Sequence, residues 1–507
     1  MSEEELEKTP VWKVVVKTPQ IIGLFVAGGV IGLVGLSLLF GTIKRRHEQY
    51  KLRKGLKAFN SALYEPADRK QKTRERARRA ISDLAGVEGF EVRGALALQR
   101  NDPDRALKTF EHYAQVTAKS TGAPASAWLG VASAALAQIE KDPASRGALL
   151  DKARKAIDKA GETNPFAAGV LKGAVALVEN DAARALGIYD KLAKALDEPV
   201  DADQAPDRET LVAFYWNRGL AQLLLRKPES ADNICRAMQY RTEWPDATRA
   251  LVVAIQISLE NASGEAELAE RIKFAQTCLG QRVMIGTERR LRYGFTREDS
   301  SAILNSIGIA QYDLKRYEEA VDSFRTAGRW RKNDLVTTCN LATAAHFRSK
   351  ELSDLLGEKF QIPKKDRARG PFPTPPEAIK NDKEKLGAWR KEMRETRSAY
   401  VRSLETAANA FRRGSEMAEK RDERFKLLLF SAYYAMKAKK YAIAEKYMLA
   451  SEKLGVNVAE AYRVLGVLHF EEGPKNMVKA RNYFLKAIEA GHPESPRLRI
   501  LAEAIGN

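Results

Sequence analysis

Histidine and cysteine are the side chains from which a metal or nucleophilic centre is most often built, and their spacing decides which centre a chain can hold. His47, His112, His346, His469 and His492 stand far apart and form neither an HExxH pair nor any other ligand spacing. Cys235, Cys278 and Cys339 are equally dispersed, with no CxxC zinc signature and no disulfide framework. The sequence has no GxxxxGK[ST] or GxGxxG loop to cradle a phosphate, and no GxSxG turn to present a nucleophilic serine. The chain therefore reads as a non-enzyme that needs no cofactor and no metal, and His469 as a structural side chain.

Charge is the chemistry the sequence carries in quantity. Lys and Arg number 85 against 66 Asp and Glu, a formal charge of +19. That excess favours anionic partners, whether membrane lipid, acidic protein or nucleic acid. Nucleic acid is not expected, because much of the basic charge clusters beside one apolar segment and no basic–aromatic motif accompanies it. With 44% hydrophobic and 30% charged residues, the chain has the composition of a folded protein.

The apolar segment runs from Ile21 to Ile43 without a charged residue. It is long enough to cross about 30 Å of hydrocarbon as a single transmembrane helix. A cleaved signal peptide is the competing reading. Against it stand the length of the run and Lys44, Arg45 and Arg46 where a small-residue cleavage site would lie. Lys8, Lys13 and Lys17 precede the run; Lys44, Arg45, Arg46, Lys51, Arg53, Lys54 and Lys57 follow it. The positive-inside rule then sends the long C-terminal part to the cytoplasm, in our reading that of a bacterium with the anchor in its inner membrane. A periplasmic C-terminal part is the alternative. Lys44, Arg45, Arg46, Lys51, Arg53 and Lys54 are the expected contacts to anionic lipid headgroups, each worth about 1 kcal/mol near the surface. Gly28, Gly32 and Gly35 share one helix face, and Gly28 and Gly32 have the GxxxG spacing that lets membrane helices associate and the chain oligomerise. Glycine is also simply frequent in membrane helices.

The elements beyond the anchor follow a recurring pattern. A small residue lies on an apolar helical stretch, an alanine comes twelve residues later, and a bulky residue four beyond that. The instances are Gly94, Ala106, Phe110; Gly173, Ala185, Tyr189; Gly219, Ala231, Cys235; Gly308, Ala320, Phe324; and Ala432, Ala444, Met448. Antiparallel helices approach closely only where small residues face each other, and a bulky side chain one turn on fills the gap toward the next pair. One pair cannot cover its own apolar face, so the pairs must stack. The expected fold is all-α, an α-solenoid of stacked helix pairs preceded by the single transmembrane helix.

This spacing resembles that of the tetratricopeptide repeat family, with its period of about 34 residues. The match is best from Ser301 to Asp334, where Leu304, Ile307, Gly308, Tyr317, Ala320, Phe324 and Ala327 stand at family positions; the next unit opens near Leu335 with Leu341 and Ala342. The last unit, with Tyr462, Leu465, Gly466, Ala480, Phe484 and Ala487, is spaced two residues longer, like longer-period relatives. Trp128 and Gly130 suggest a degenerate unit whose second helix lies near Ala153 to Ala160. The resemblance covers roughly residues 80 to 500. It implies a groove lined by the first helix of each pair, in which partners bind. The positions that face it in the family are occupied here by Trp216, Asn217, Asn305, Tyr312 and Asn340, the expected partner-binding residues. Their amides would bond an extended peptide and the tryptophan would anchor it; ordinary packing between repeats is the alternative for each. The basic and amide set with which family members grip a chaperone's terminal carboxylate is not found.

Two stretches interrupt the array. Gln281 to Ser300 carries Arg289, Arg290, Arg292 and Arg297 with Gly286 and Gly294, and reads as a basic loop. Gly370-Pro371-Phe372-Pro373-Thr374-Pro375-Pro376 cannot be helical throughout, and Ala407, Phe411 and Gly414 resume a second-helix pattern beyond it. The organisation read from the sequence is a tail (1–20), a transmembrane helix (21–43), a basic juxtamembrane segment (44–80), N-terminal repeats (81–285), a basic loop (286–300), repeats (301–349), a Pro-rich insertion (350–385) and C-terminal repeats (386–507). The expected role is a membrane-anchored scaffold that holds other proteins during assembly of a membrane complex. A receptor for client polypeptides at a membrane surface is the alternative, and a nucleic-acid-binding protein using the net charge is the weaker one.

Overall fold

A computed structural model describes residues 87–118, 122–197, 206–240, 244–280, 282–285, 288–291 and 293–506. The tail, transmembrane helix and basic segment expected over 1–80 lie outside these residues, and with them Gly28, Gly32, Gly35, Lys44, Arg45, Arg46, Lys51, Arg53, Lys54 and His47. Among the described residues no helix is long and apolar enough to cross a membrane.

The described chain up to Asp299 and that from Ser300 onward form two compact units. The first consists of helix pairs. They are α1 (Val87–Gln99) with α2 (Pro103–Ala118), α3 (Ala125–Lys141) with α4 (Arg146–Gly161), and α5 (Pro165–Val178) with α6 (Ala182–Asp197). Then come α7 (Arg208–Leu224) with α8 (Ser230–Tyr240), and α9 (Pro245–Glu260) with α10 (Glu265–Gly280). The second begins with α11 (Arg297–Asp313) and α12 (Tyr317–Trp330), followed by α13 (Leu335–Glu358) and, after the one-turn α14 (Glu377–Lys380), α15 (Lys383–Met417). It ends with α16 (Arg421–Lys437) and α17 (Tyr441–Glu452), α18 (Val458–Glu472) and α19 (Met477–Glu489), and a last helix, α20 (Ser495–Gly506). Among the described residues each unit is thus a run of antiparallel helix pairs.

The first helices α5, α7 and α13 open on side-chain caps. Asn164 accepts from the Ala167 amide at 3.1 Å, Asp207 from Thr210 at 2.7 Å, and Asp334 from Val336 at 3.1 Å, each filling an orphan donor of the first turn. Between the two helices of a pair the same turn recurs. Asn101, Asn180, Arg226, Lys315 and Lys439 all adopt positive φ. Each closes a Schellman motif: at the best repeat, Arg316 N–H donates to the Gln311 carbonyl at 2.8 Å and Lys315 N–H to Tyr312 at 2.9 Å. This fixed turn folds the second helix back onto the first.

Small residues set how closely the two helices approach. A Cβ on Gly308 would stand 2.7 Å from the Phe324 ring, and one on Gly173 would stand 2.3 Å from Tyr189. The aromatic of one pair also reaches the next: Phe110 fits against Gly94 of its own pair and against Gly130 of the following first helix, where a Cβ would lie 2.3 Å from its ring. Phe110, Tyr189, Phe324 and Phe484 are fully buried. The unit at Gly219 departs from the expected pattern, since Ile234, not Cys235, fills the space opposite the glycine. Cys235 instead faces Cys278 of α10, with sulfurs 3.8 Å apart.

The stretch expected as a basic loop is more ordered than its glycines suggest. β1 (Arg282–Ile285) and β2 (Glu288–Leu291) form an antiparallel hairpin in which Arg282 faces Leu291 and Ile285 faces Glu288. Val283 and Ile285 favour the extended backbone, and a two-residue connection containing glycine is a hairpin signal. Beyond it Tyr293 and Phe295 are buried, and Thr248 of α9 donates to the Tyr293 carbonyl at 2.7 Å.

The insertion is flanked by lengthened helices. α13 runs on to Glu358 because Leu352 and Leu356 keep its apolar stripe going, and α15 spans 35 residues alongside it. The segment between them is fixed by its carbonyls: Arg367 donates to Ile362 at 3.2 Å and Arg397 to Gly370 at 3.0 Å. At the C-terminal end Leu498 and Ala502 of α20 cover Ala480, Phe484 and Ala487 of α19.

Candidate partner-binding grooves

The residues expected to line a groove are placed mostly inside the packing. Trp216 is fully buried against Trp244, ring centroids 4.4 Å apart, where α7 meets the start of α9. Asn217 is fully buried beside Tyr189 without reaching hydrogen-bond geometry. Asn340 is buried in α13 and donates to Asn305 of α11 at 3.1 Å, an amide bridge between first helices of successive pairs. Tyr312 is half-buried against Tyr317 and Phe347, at 5.5 and 5.3 Å; burial, then Tyr317 and Asp313, push its phenol up to about 12. Positions five and six of the first helix thus face the neighbouring pair. Spacing within one helix could not distinguish that from facing a ligand.

The remaining chemistry-bearing residues also serve packing. His346 is buried beside Phe347 and Tyr434. His469 is buried between Glu445 and Glu472, each at 3.3 Å, and stacks on Tyr483. His492 bonds Glu460 at 2.8 Å. Among the described residues no three His, Cys, Asp or Glu side chains converge as a metal site. The Cys278 contact and burial push the Cys235 thiol well up, and burial pushes that of Cys339 up to about 12, so neither is a ready nucleophile.

Among the grooves open in the second unit, two differ sharply in lining. The smaller, about 200 Å³, lies between first helices α16 and α18, where Leu429, Phe430, Tyr433 and Val467 form an apolar lining edged by Glu460, Arg463 and Glu471. The larger, about 1060 Å³, lies on the opposite elements, between second helices α12 and α15 with α13 as its floor. Arg325, Arg329, Lys332 and Arg413 line it against a single acid, Glu416. Neither set was singled out in the sequence. For the larger groove a signal existed: Arg325 and Arg329 are like charges one helical turn apart, a pattern that costs a helix stability, with Lys332 close behind.

No family model matches the chain, and no curated protein matches it either. Similar solved structures include a monomeric IFIT1 mutant with a capped RNA, 12% identical over 90% of this chain and 87% of that one, with a TM-score of 0.24. Yeast Tom70 is 11% identical over 83% of this chain and 95% of that one, with a TM-score of 0.19. Cut9 in its complex with Hcn1 is 13% identical over 91% and 96%, with a TM-score of 0.23.

Proposed function

We propose that the chain is a membrane-anchored scaffold whose helical repeats hold other proteins in a membrane-associated complex, without catalysis. The observation that carries this reading is the architecture itself. Stacked helix pairs spend their chemistry-bearing side chains on packing and leave open grooves between helices as the surfaces free for contact. The anchor rests on residues 21–43, and the basic residues after it would rest on anionic headgroups. Positive-inside charge puts the repeats in the cytoplasm, with the periplasm as the alternative.

The test is purification of the full-length protein from membranes solubilised in mild detergent. A scaffold brings partners in fixed stoichiometry that survive gel filtration. Recovery alone, or with substoichiometric and heterogeneous polypeptides that wash away, would favour a receptor for clients instead.

A further inference from the structure

The larger groove has a composition that packing does not explain. Arg329, Lys332 and Arg413 are exposed and make no ion pair among the described residues. Arg325 is paired to Asp322 at 2.6 Å, and Glu416, the one acid in the lining, is itself paired to Arg412. Arg325 and Arg329 lie one turn apart on α12, Lys332 follows in the turn just beyond the helix end at Trp330, and Arg413 lines the groove from α15. Like charges one helical turn apart, as Arg325 and Arg329 are, repel by about 0.2–0.5 kcal/mol. The fold therefore carries an electrostatic cost that a negative occupant would relieve.

Around the cations stand short polar side chains. Asn333 and Asn409 are exposed amides at the groove's edges, and Thr338 and Thr406 are half-buried on its walls. Amides both donate and accept, as an extended backbone requires. The apolar part of the lining is Leu341, Ala410 and Met417, enough to pack small side chains between the acids. Phe324 contributes the only aromatic ring to this lining and is fully buried, so no base could stack on it, which disfavours a single-stranded nucleic acid. With about 1060 Å³ the groove is larger than a small-molecule pocket usually is.

We propose that this groove, on the second-helix side of the repeats, is a docking site for an acidic, extended polypeptide segment of a partner protein. Its carboxylates pair with Arg329, Lys332 and Arg413 while its backbone bonds the flanking amides. The inference rests on the reading of the chain as a protein-binding array and adds the chemistry of one partner.

The experiment uses full-length protein in detergent micelles and a short fluorescein-labelled peptide of alternating Glu and Thr, with fluorescence anisotropy at low salt. The Glu peptide should bind, its Gln analogue should not, and binding should weaken as salt is raised. Arg329→Glu and Arg413→Glu should each weaken the Kd roughly tenfold or more. Both side chains are exposed, and an unchanged far-ultraviolet circular dichroism melt confirms that the variants fold. Lys194→Glu, on the exposed face of α6, should leave the Kd unchanged. Absence of Glu-peptide binding, or binding indifferent to both groove variants, overturns the proposal. So does an oligouridine that binds more tightly than the peptide with the same sensitivity to the variants. Stoichiometric co-purification of partners with the Arg329→Glu/Arg413→Glu double variant would sink this site while leaving the scaffold reading intact.

Discussion

Gly308 shows how much a single position decides. A methyl group there must displace the Phe324 ring, which is fully buried among Ala320, Ala342 and Ala345 and has no room to yield. Gly308→Ala should cost about 1–3 kcal/mol, the usual range for overpacking, read as a lower denaturation midpoint. Phe324→Leu made in the same chain should recover part of that loss, and strict additivity of the two changes would refute the steric account. Glu460 gives a pH test at the same scale. Burial pushes its carboxyl up, but Arg463 and His492 outweigh burial and hold it below the ordinary value. A carboxylate depressed in the folded state stabilises above its unfolded pKa and loses that contribution as pH falls through the folded one. Amide exchange in α18 and α20 should therefore accelerate below the ordinary glutamate value of 4.5, and Glu460→Gln should flatten that acid limb. Identical acid profiles for the two proteins would count against it.

At the scale of elements, the turn within each pair and the bridge between pairs are separable. Lys315 and Lys439 hold positive φ at a position where glycine fits without a Cβ penalty. Lys315→Gly should stabilise the second unit by about 0.5–1 kcal/mol, seen as a higher urea midpoint with unchanged slope. Loss of stability would show that the Lys315 side chain does more than end a helix. The Asn340–Asn305 bridge behaves oppositely, because removing one partner strands the other in a buried site. Asn340→Ala should cost about 1–3 kcal/mol, whereas changing both to leucine should cost less than the single change. The helix pairs themselves were legible because their small–alanine–bulky spacing is a local, periodic pattern. Less legible was the hairpin over 282–291, where glycine and arginine content masked a short aliphatic run.

For the whole molecule, the anchor is the expectation with the largest consequence. Full-length protein should stay in the membrane pellet through alkaline carbonate extraction, and deletion of residues 1–46 should release it. Release of the intact chain would refute the transmembrane reading of Ile21–Ile43. Protease added to spheroplasts then decides the side: protection of a C-terminal tag places the repeats in the cytoplasm, and digestion places them outside.

What the sequence determined by itself is the repeating helix pair, since helical period, caps and small-residue spacing act over a few turns of one chain segment. It also contained the run of like charges Arg325, Arg329 and Lys332, though not its meaning. Only the tertiary structure decided that Trp216, Asn217, Asn305 and Asn340 face neighbouring pairs, and that Arg413 of a distant helix joins that run across a groove. The reason is geometric. Which face of a first helix meets solvent depends on how one pair is rotated onto the next. That rotation is set by contacts such as Phe110 against Gly130 and Asn340 against Asn305, made between residues that no period within one helix relates.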